Sequence, residues 1–191
     1  MRKLLNRVTL LLLMTMSLTA VCHSAHCRTK SGKGKSVPLI VGTYTAKQSK
    51  GIYRCDFNTS TGELSRPQLI AEVDNPSFMA LSEDKKFLYV VSEGGNNLSS
   101  ALNAFSYDTD KGTLKLINRQ PTFGASPCYV ALAEGKAITA NYTGGSYSVM
   151  GINADGSLGK ATAHPIKRGG RTSHVHGIFP HKKSQSIFIT D

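Results

Sequence analysis

No acidic residue precedes Asp56, whereas Arg2, Lys3, Arg7, Arg28, Lys30, Lys33 and Lys35 all do. The formal charge of +11 therefore overstates the folded part: setting those seven cations aside leaves 16 basic against 12 acidic side chains, a surplus of four. A surplus of that size reads as an ordinary soluble surface that could favour an anionic small ligand. No nucleic-acid-binding motif accompanies the charge, which sets that class of partner aside. An apolar run long enough to span a bilayer is also lacking. Val8–Met14 is apolar apart from Thr9 and is extended by Met16, Leu18, Ala20 and Val21, short of the roughly 20 residues a membrane helix needs. Behind Arg2, Lys3 and Arg7, and ahead of Cys22, His23, Ser24 and Ala25, this is the layout of a secretory signal peptide over residues 1–24, and export to the periplasm or cell envelope is expected. Leu18-Thr19-Ala20-Val21-Cys22 loosely resembles a lipoprotein box, so a membrane contact is expected only if Cys22 is lipidated. Residues 25–36 have no apolar periodicity and read as a basic, solvated tether. The four cysteines make no disulfide framework: Cys22 and Cys27 fall in leader or tether, while Cys55 and Cys128 fall in different repeats and are expected as free thiols.

What the chain does contain is a repeat. Asn75-Pro76-Ser77-Phe78 runs into Phe87-Leu88-Tyr89-Val90-Val91-Ser92-Glu93; Ser126-Pro127-Cys128-Tyr129 runs into Ile138-Thr139-Ala140-Asn141-Tyr142; His174-Val175-His176-Gly177 runs into Ile187-Phe188-Ile189-Thr190-Asp191. The phrase ends Glu93, Tyr142 and Asp191 are each 49 residues apart. Short strands recurring at about 40 to 50 residues are the signature of a β-propeller, whose blade is one four-stranded sheet. Gly62, Gly112 and Gly156 recur in the turns that lead to each blade's outermost strand.

The resulting expectation is an all-β chain holding about three blades of an incomplete ring. Blade 1 covers 37–73, blade 2 74–123, blade 3 124–170, and a fourth begins over 171–191. Strands nearest the axis begin at Asn75, Ser126 and His174, and their partners at Phe87, Lys136 and Ser186. The first blade then lacks its innermost strand and the last its outer two. That pattern predicts the N-terminal portion of a longer protein, poorly folded and inactive by itself because its sheet edges are exposed.

Neighbouring strands of a blade are antiparallel, so the start of each innermost strand and the end of the next share one rim of the channel. Asn75, Ser126, His174, His176, Glu93, Asn141, Tyr142 and Asp191 are expected to gather there.

Val41-Gly42-Thr43-Tyr44-Thr45, Lys50-Gly51-Ile52-Tyr53, Asn75-Pro76-Ser77-Phe78, Leu88-Tyr89-Val90-Val91-Ser92-Glu93, Ala140-Asn141-Tyr142 with Gly144-Gly145-Ser146, and His174-x-His176 together resemble the bacterial lactonase family of the 6-phosphogluconolactonase type, from about Pro38 to Asp191. The resemblance implies a seven-bladed propeller that opens a sugar lactone by water attack, needing neither metal nor other cofactor. At this period a full ring takes roughly 340 residues. The resemblance also places a histidine where His174 stands, with His176 beside it as a second catalytic candidate. Arg168 or Arg171 would bind the substrate's carboxylate or phosphate, with Glu93 and Asn141 as further substrate contacts. His174 and His176 are two residues apart and would share a strand face, but no third metal ligand stands at a suitable spacing. The alternative is an exported, non-catalytic propeller that binds a protein or carbohydrate at the same rim.

Overall fold

A computed structural model describes residues 34–191; the leader and most of the tether expected before them lie outside the described residues. Those residues form thirteen strands and, among them, no helix. The first sheet contains β1 (Ser36–Gly42), β2 (Gly51–Asn58) and β3 (Gln68–Glu72); the second β4 (Met79–Leu81), β5 (Phe87–Ser92), β6 (Ala101–Asp108) and β7 (Thr113–Pro121). The third contains β8 (Pro127–Ala133), β9 (Lys136–Asn141), β10 (Ser146–Gly151) and β11 (Thr162–Pro165), and the last pairs β12 (Gly177–His181) with β13 (Ser186–Thr190). Within every sheet each strand pairs antiparallel with its neighbour in the chain. These are successive propeller blades, the first without an innermost strand and the last with only its inner pair.

The sheets stack through strands that are apolar on both faces. In β5, Leu88 and Val90 pack with Ile52, Val73 and Phe105 towards the first sheet. Tyr89 and Val91, between them in sequence, pack with Val130, Ala137 and Met150 towards the third. The pleat's period of two thus sends alternate side chains of one strand into two cores. A third core joins Ala131, Ile138 and Ala140 to Val175 and Ile178. Each fully buried valine, leucine or isoleucine in these cores stabilises the stack by about 1.5–3 kcal/mol.

Two details differ from the sequence expectation. β1 already begins at Ser36, and the Lys35 carbonyl accepts from Thr59 N at 3.2 Å, so the end of the expected tether belongs to the first sheet. The innermost strands start later than Asn75 and His174: the ladder begins at Met79 in β4 and at Gly177 in β12. Asn75 accounts for the first, turning the chain through left-handed backbone (φ 42°) just before a proline; Ser126 does the same (φ 52°) directly ahead of β8. Their carbonyls take the N–H groups of Glu93 (3.1 Å) and Tyr142 (2.8 Å), tying the rim of each blade.

Candidate functional site

The rim segments that precede the ladders converge. A cavity of about 290 Å³ is lined by Tyr44, Ser77, Glu93, Cys128, Tyr142 and His176, residues in or beside strands of all four sheets. Larger grooves of about 720, 710 and 610 Å³ run between neighbouring sheets. The largest of them is lined in part by β3 and β7, and none carries the converging rim residues.

Blade 1 reaches the cavity through the loop after β1. Gly42 is required there because a Cβ would stand 2.0 Å from the Pro76 carbonyl oxygen, so only glycine lets the loop lie against blade 2. Asn75 Oδ1 then accepts from Thr45 N (2.9 Å) and Thr45 Oγ1 (3.1 Å), which pins the loop. Tyr44, so placed, donates its hydroxyl to Glu93 Oε2 at 2.9 Å. The carboxylate it faces pushes the phenol up from its ordinary value, with a smaller contribution from burial, so Tyr44 stays protonated. Ser77 Oγ is buried without a hydrogen-bond partner among the described residues. Cys128 Sγ lies 3.7 Å from the carbonyls of Val175 and His176, and burial raises its thiol to about 11.

Both histidines attach to Tyr142. His174 stacks on the phenol ring with centroids 4.6 Å apart, and His176 meets it edge-on at 5.8 Å. Their side chains are exposed while Ser173, Val175 and Gly177 between and around them are buried, so the alternation expected for this stretch holds before the ladder begins. His174 Nδ1 lies 3.3 Å from the Tyr142 carbonyl oxygen. A carbonyl only accepts, so this bond requires a proton on Nδ1, and in the neutral ring that tautomer leaves Nε2 as the proton acceptor.

Arg168 and Arg171 stand at the two ends of a tight turn, Arg171 N donating to Arg168 O at 3.2 Å. The two residues between them, Gly169 (φ 55°) and Gly170 (φ 88°), are both left-handed, which a two-residue hairpin turn of this hand demands. Both arginines are exposed, but Arg168 Nη1 pairs with Asp191 Oδ2 at 3.1 Å, whereas Arg171 makes no ion pair among the described residues. The structure thus separates the two arginines that the sequence leaves equivalent.

Asn141 is the expected contact that the structure does not bring to the mouth. It is wholly buried, its amide donating to Ser146 Oγ (3.1 Å) and Ser148 Oγ (2.9 Å) while Thr139 donates to its Oδ1 (3.2 Å). As the last residue of β9 it shares a sheet face with Thr139 and, across the ladder to β10, with Ser146 and Ser148, and these polar neighbours satisfy it. Tyr44 is the reverse case: it is not among the expected site residues, yet it lines the cavity. The signal is in the sequence, since Tyr44 stands 49 residues before Glu93, one further step of the series Glu93, Tyr142, Asp191. Among the described residues no three His, Cys, Asp or Glu side chains cluster as a metal site would require.

Stacked antiparallel blades with a polar mouth at one end of their inner strands define the chain as part of a β-propeller. Residues 38–191 match the family model described as lactonase, seven-bladed beta-propeller, and the chain belongs to that family. A 6-phosphogluconolactonase of Formosa agariphila is 34% identical over 166 residues, covering 80% of this chain and 46% of the relative. Among solved structures, a candidate 6-phosphogluconolactonase from Bacteroides fragilis superposes with a TM-score of 0.75 at 38% identity, over 84% of this chain and 47% of that one. The periplasmic gluconolactonase of Pseudomonas aeruginosa also gives 0.75, at 28% identity over 82% and 47%. The chain therefore spans less than half the length of these relatives.

Proposed function

We propose that this chain builds part of the active-site mouth of a lactone hydrolase that opens a sugar lactone. The observation that carries the reading is the His174 imidazole, held with Nδ1 towards the Tyr142 carbonyl and stacked on the Tyr142 ring, which lines the rim cavity. In the reaction, Nε2 takes a proton from water as the water oxygen bonds to the lactone carbonyl carbon. The tetrahedral intermediate collapses with cleavage of the ring C–O bond, and the proton returns to the departing ring oxygen, giving the hydroxy acid. Arg171 supplies charge for an anionic part of the substrate, since Arg168 is engaged by Asp191. Glu93, with Tyr44 on one carboxylate oxygen, and His176 offer hydrogen bonds to substrate hydroxyls. The names of the relatives support gluconolactone or its 6-phosphate as the substrate class. Export is supported by the leader-like residues 1–24 and by the periplasmic relative.

The test is lactone opening by the intact protein, followed as acid release on both lactones and corrected for spontaneous hydrolysis. His174→Ala is expected to lower kcat by about 100- to 10,000-fold, the usual worth of a general base. Equal rates for wild type and His174→Ala remove the imidazole from the mechanism. No opening of either lactone by the wild type, with retained binding of a carbohydrate or protein at the mouth, favours the non-catalytic propeller instead.

A further inference from the structure

We propose that Asp191 is the positioning residue for His174, fixing the backbone from which the imidazole sets Nδ1 towards the Tyr142 carbonyl and stacks on the Tyr142 ring at the mouth. The proposal rests on His174 as the base of the reaction above, but its geometry stands apart from turnover. His174 precedes β12, so no ladder holds its N–H. That N–H donates instead to Asp191 Oδ1. The other carboxylate oxygen, Oδ2, accepts from Ser173 Oγ at 2.9 Å and from Arg168 Nη1 at 3.1 Å. Both oxygens are thus committed to one stretch of chain and to the turn before it, and the Asp191 side chain is only 12% exposed. The His174 N–H, foremost, and the Ser173 hydroxyl and Arg168 charge after it hold the carboxyl below its ordinary range, so it is ionised at neutral pH.

The comparison between blades gives an independent reason. Glu93 and Tyr142, one and two periods before Asp191, tie their rims with main-chain N–H groups given to Asn75 and Ser126 carbonyls. At the histidine blade the direction of the tie is reversed: the residue at the end of the second strand accepts through its side chain, and the N–H it receives belongs to His174. Glu93 carries a carboxylate at the same step, but its Oε2 accepts from Tyr44 of the preceding blade, whereas the Asp191 carboxylate grips the backbone of the histidine segment itself. The ring is then fixed from the other side by the preceding blade, through the Tyr142 carbonyl and the stacked phenol. Backbone and ring are held by different blades, so loss of Asp191 lets His174 pivot away from Tyr142 without emptying the core beneath Val175.

The experiment is nitrogen-15 NMR of the imidazoles in the intact protein, with kinetics alongside. Wild type is expected to show His174 as the Nδ1–H tautomer. Asp191→Ala should shift it to a mixture of tautomers and lower kcat by about 100-fold, the cost of a small misplacement of a reacting group, with KM within about twofold. Asp191→Asn keeps an oxygen for the His174 N–H and should retain the tautomer and most of kcat. Should Asp191→Ala fail to fold, Asp191→Glu, one methylene longer, must disturb the tautomer where Asp191→Asn does not. A wild-type tautomer in Asp191→Ala or Asp191→Glu overturns the proposal, as does an asparagine variant no better than alanine. A tautomer change in a protein that opens no lactone refutes the hydrolase reading while supporting the positioning role.

Discussion

Replacing Asn141 with alanine is expected to cost stability and to leave the mouth chemically intact. The side chain makes three buried hydrogen bonds, to Ser146, Ser148 and Thr139, and is itself 0% exposed. At about 1 kcal/mol net for each bond, truncation removes about 3 kcal/mol, and leaving buried hydroxyls short of a partner adds to that figure. For a folded unit of this size each kcal/mol moves Tm by about 2–4 °C, so a fall of about 6–12 °C is expected. Ser148 is the neighbour most affected, because its hydroxyl also donates to the Thr122 carbonyl and so couples β10 to the end of β7. The assay is thermal unfolding of the intact protein followed by circular dichroism, together with KM for the lactone below the transition. An unchanged Tm accompanied by a large rise in KM would show that Asn141 reaches substrate after all, and the buried-network argument would fall.

Tyr89 donates its hydroxyl to the Gly156 carbonyl at 3.1 Å, and burial pushes its phenol up to about 12. Because the folded value lies above the unfolded one, its contribution to stability is complete below pH 10 and is lost as pH rises towards 12. In a tyrosinate absorbance titration, Tyr89→Phe should remove a late-titrating component, and its persistence would contradict the assignment. Cys128, with its thiol raised to about 11 by burial and next by the Glu93 charge, should react with a thiol reagent at neutral pH roughly 100-fold more slowly than an ordinary cysteine. Fast labelling of Cys128 in the native protein would refute that environment.

The site was legible in the sequence wherever it followed the period. Glu93, Tyr142 and Asp191 mark one position in successive blades, and strand antiparallelism alone brings their ends to the rim that also holds His174 and His176. The same step backwards reaches Tyr44, whose hydroxyl meets Glu93 across a sequence gap of 49 residues. The roles within the cluster were not legible. Arg168 and Arg171 flank the same pair of glycines, and only the position of Asp191 decides which guanidinium is already engaged.

By itself the sequence determined that short strands recur at a fixed interval, which strands are apolar on both faces, and which residues end each one. Those are properties of the pleat and of local turns, set by neighbours a few positions apart. The tertiary structure alone decided that Asn141 turns into a buried polar network while Tyr44 turns out to the cavity, and that a carboxylate grips the His174 backbone. Each of those outcomes depends on which polar group a neighbouring strand or blade presents, and a buried side chain persists only where that partner exists.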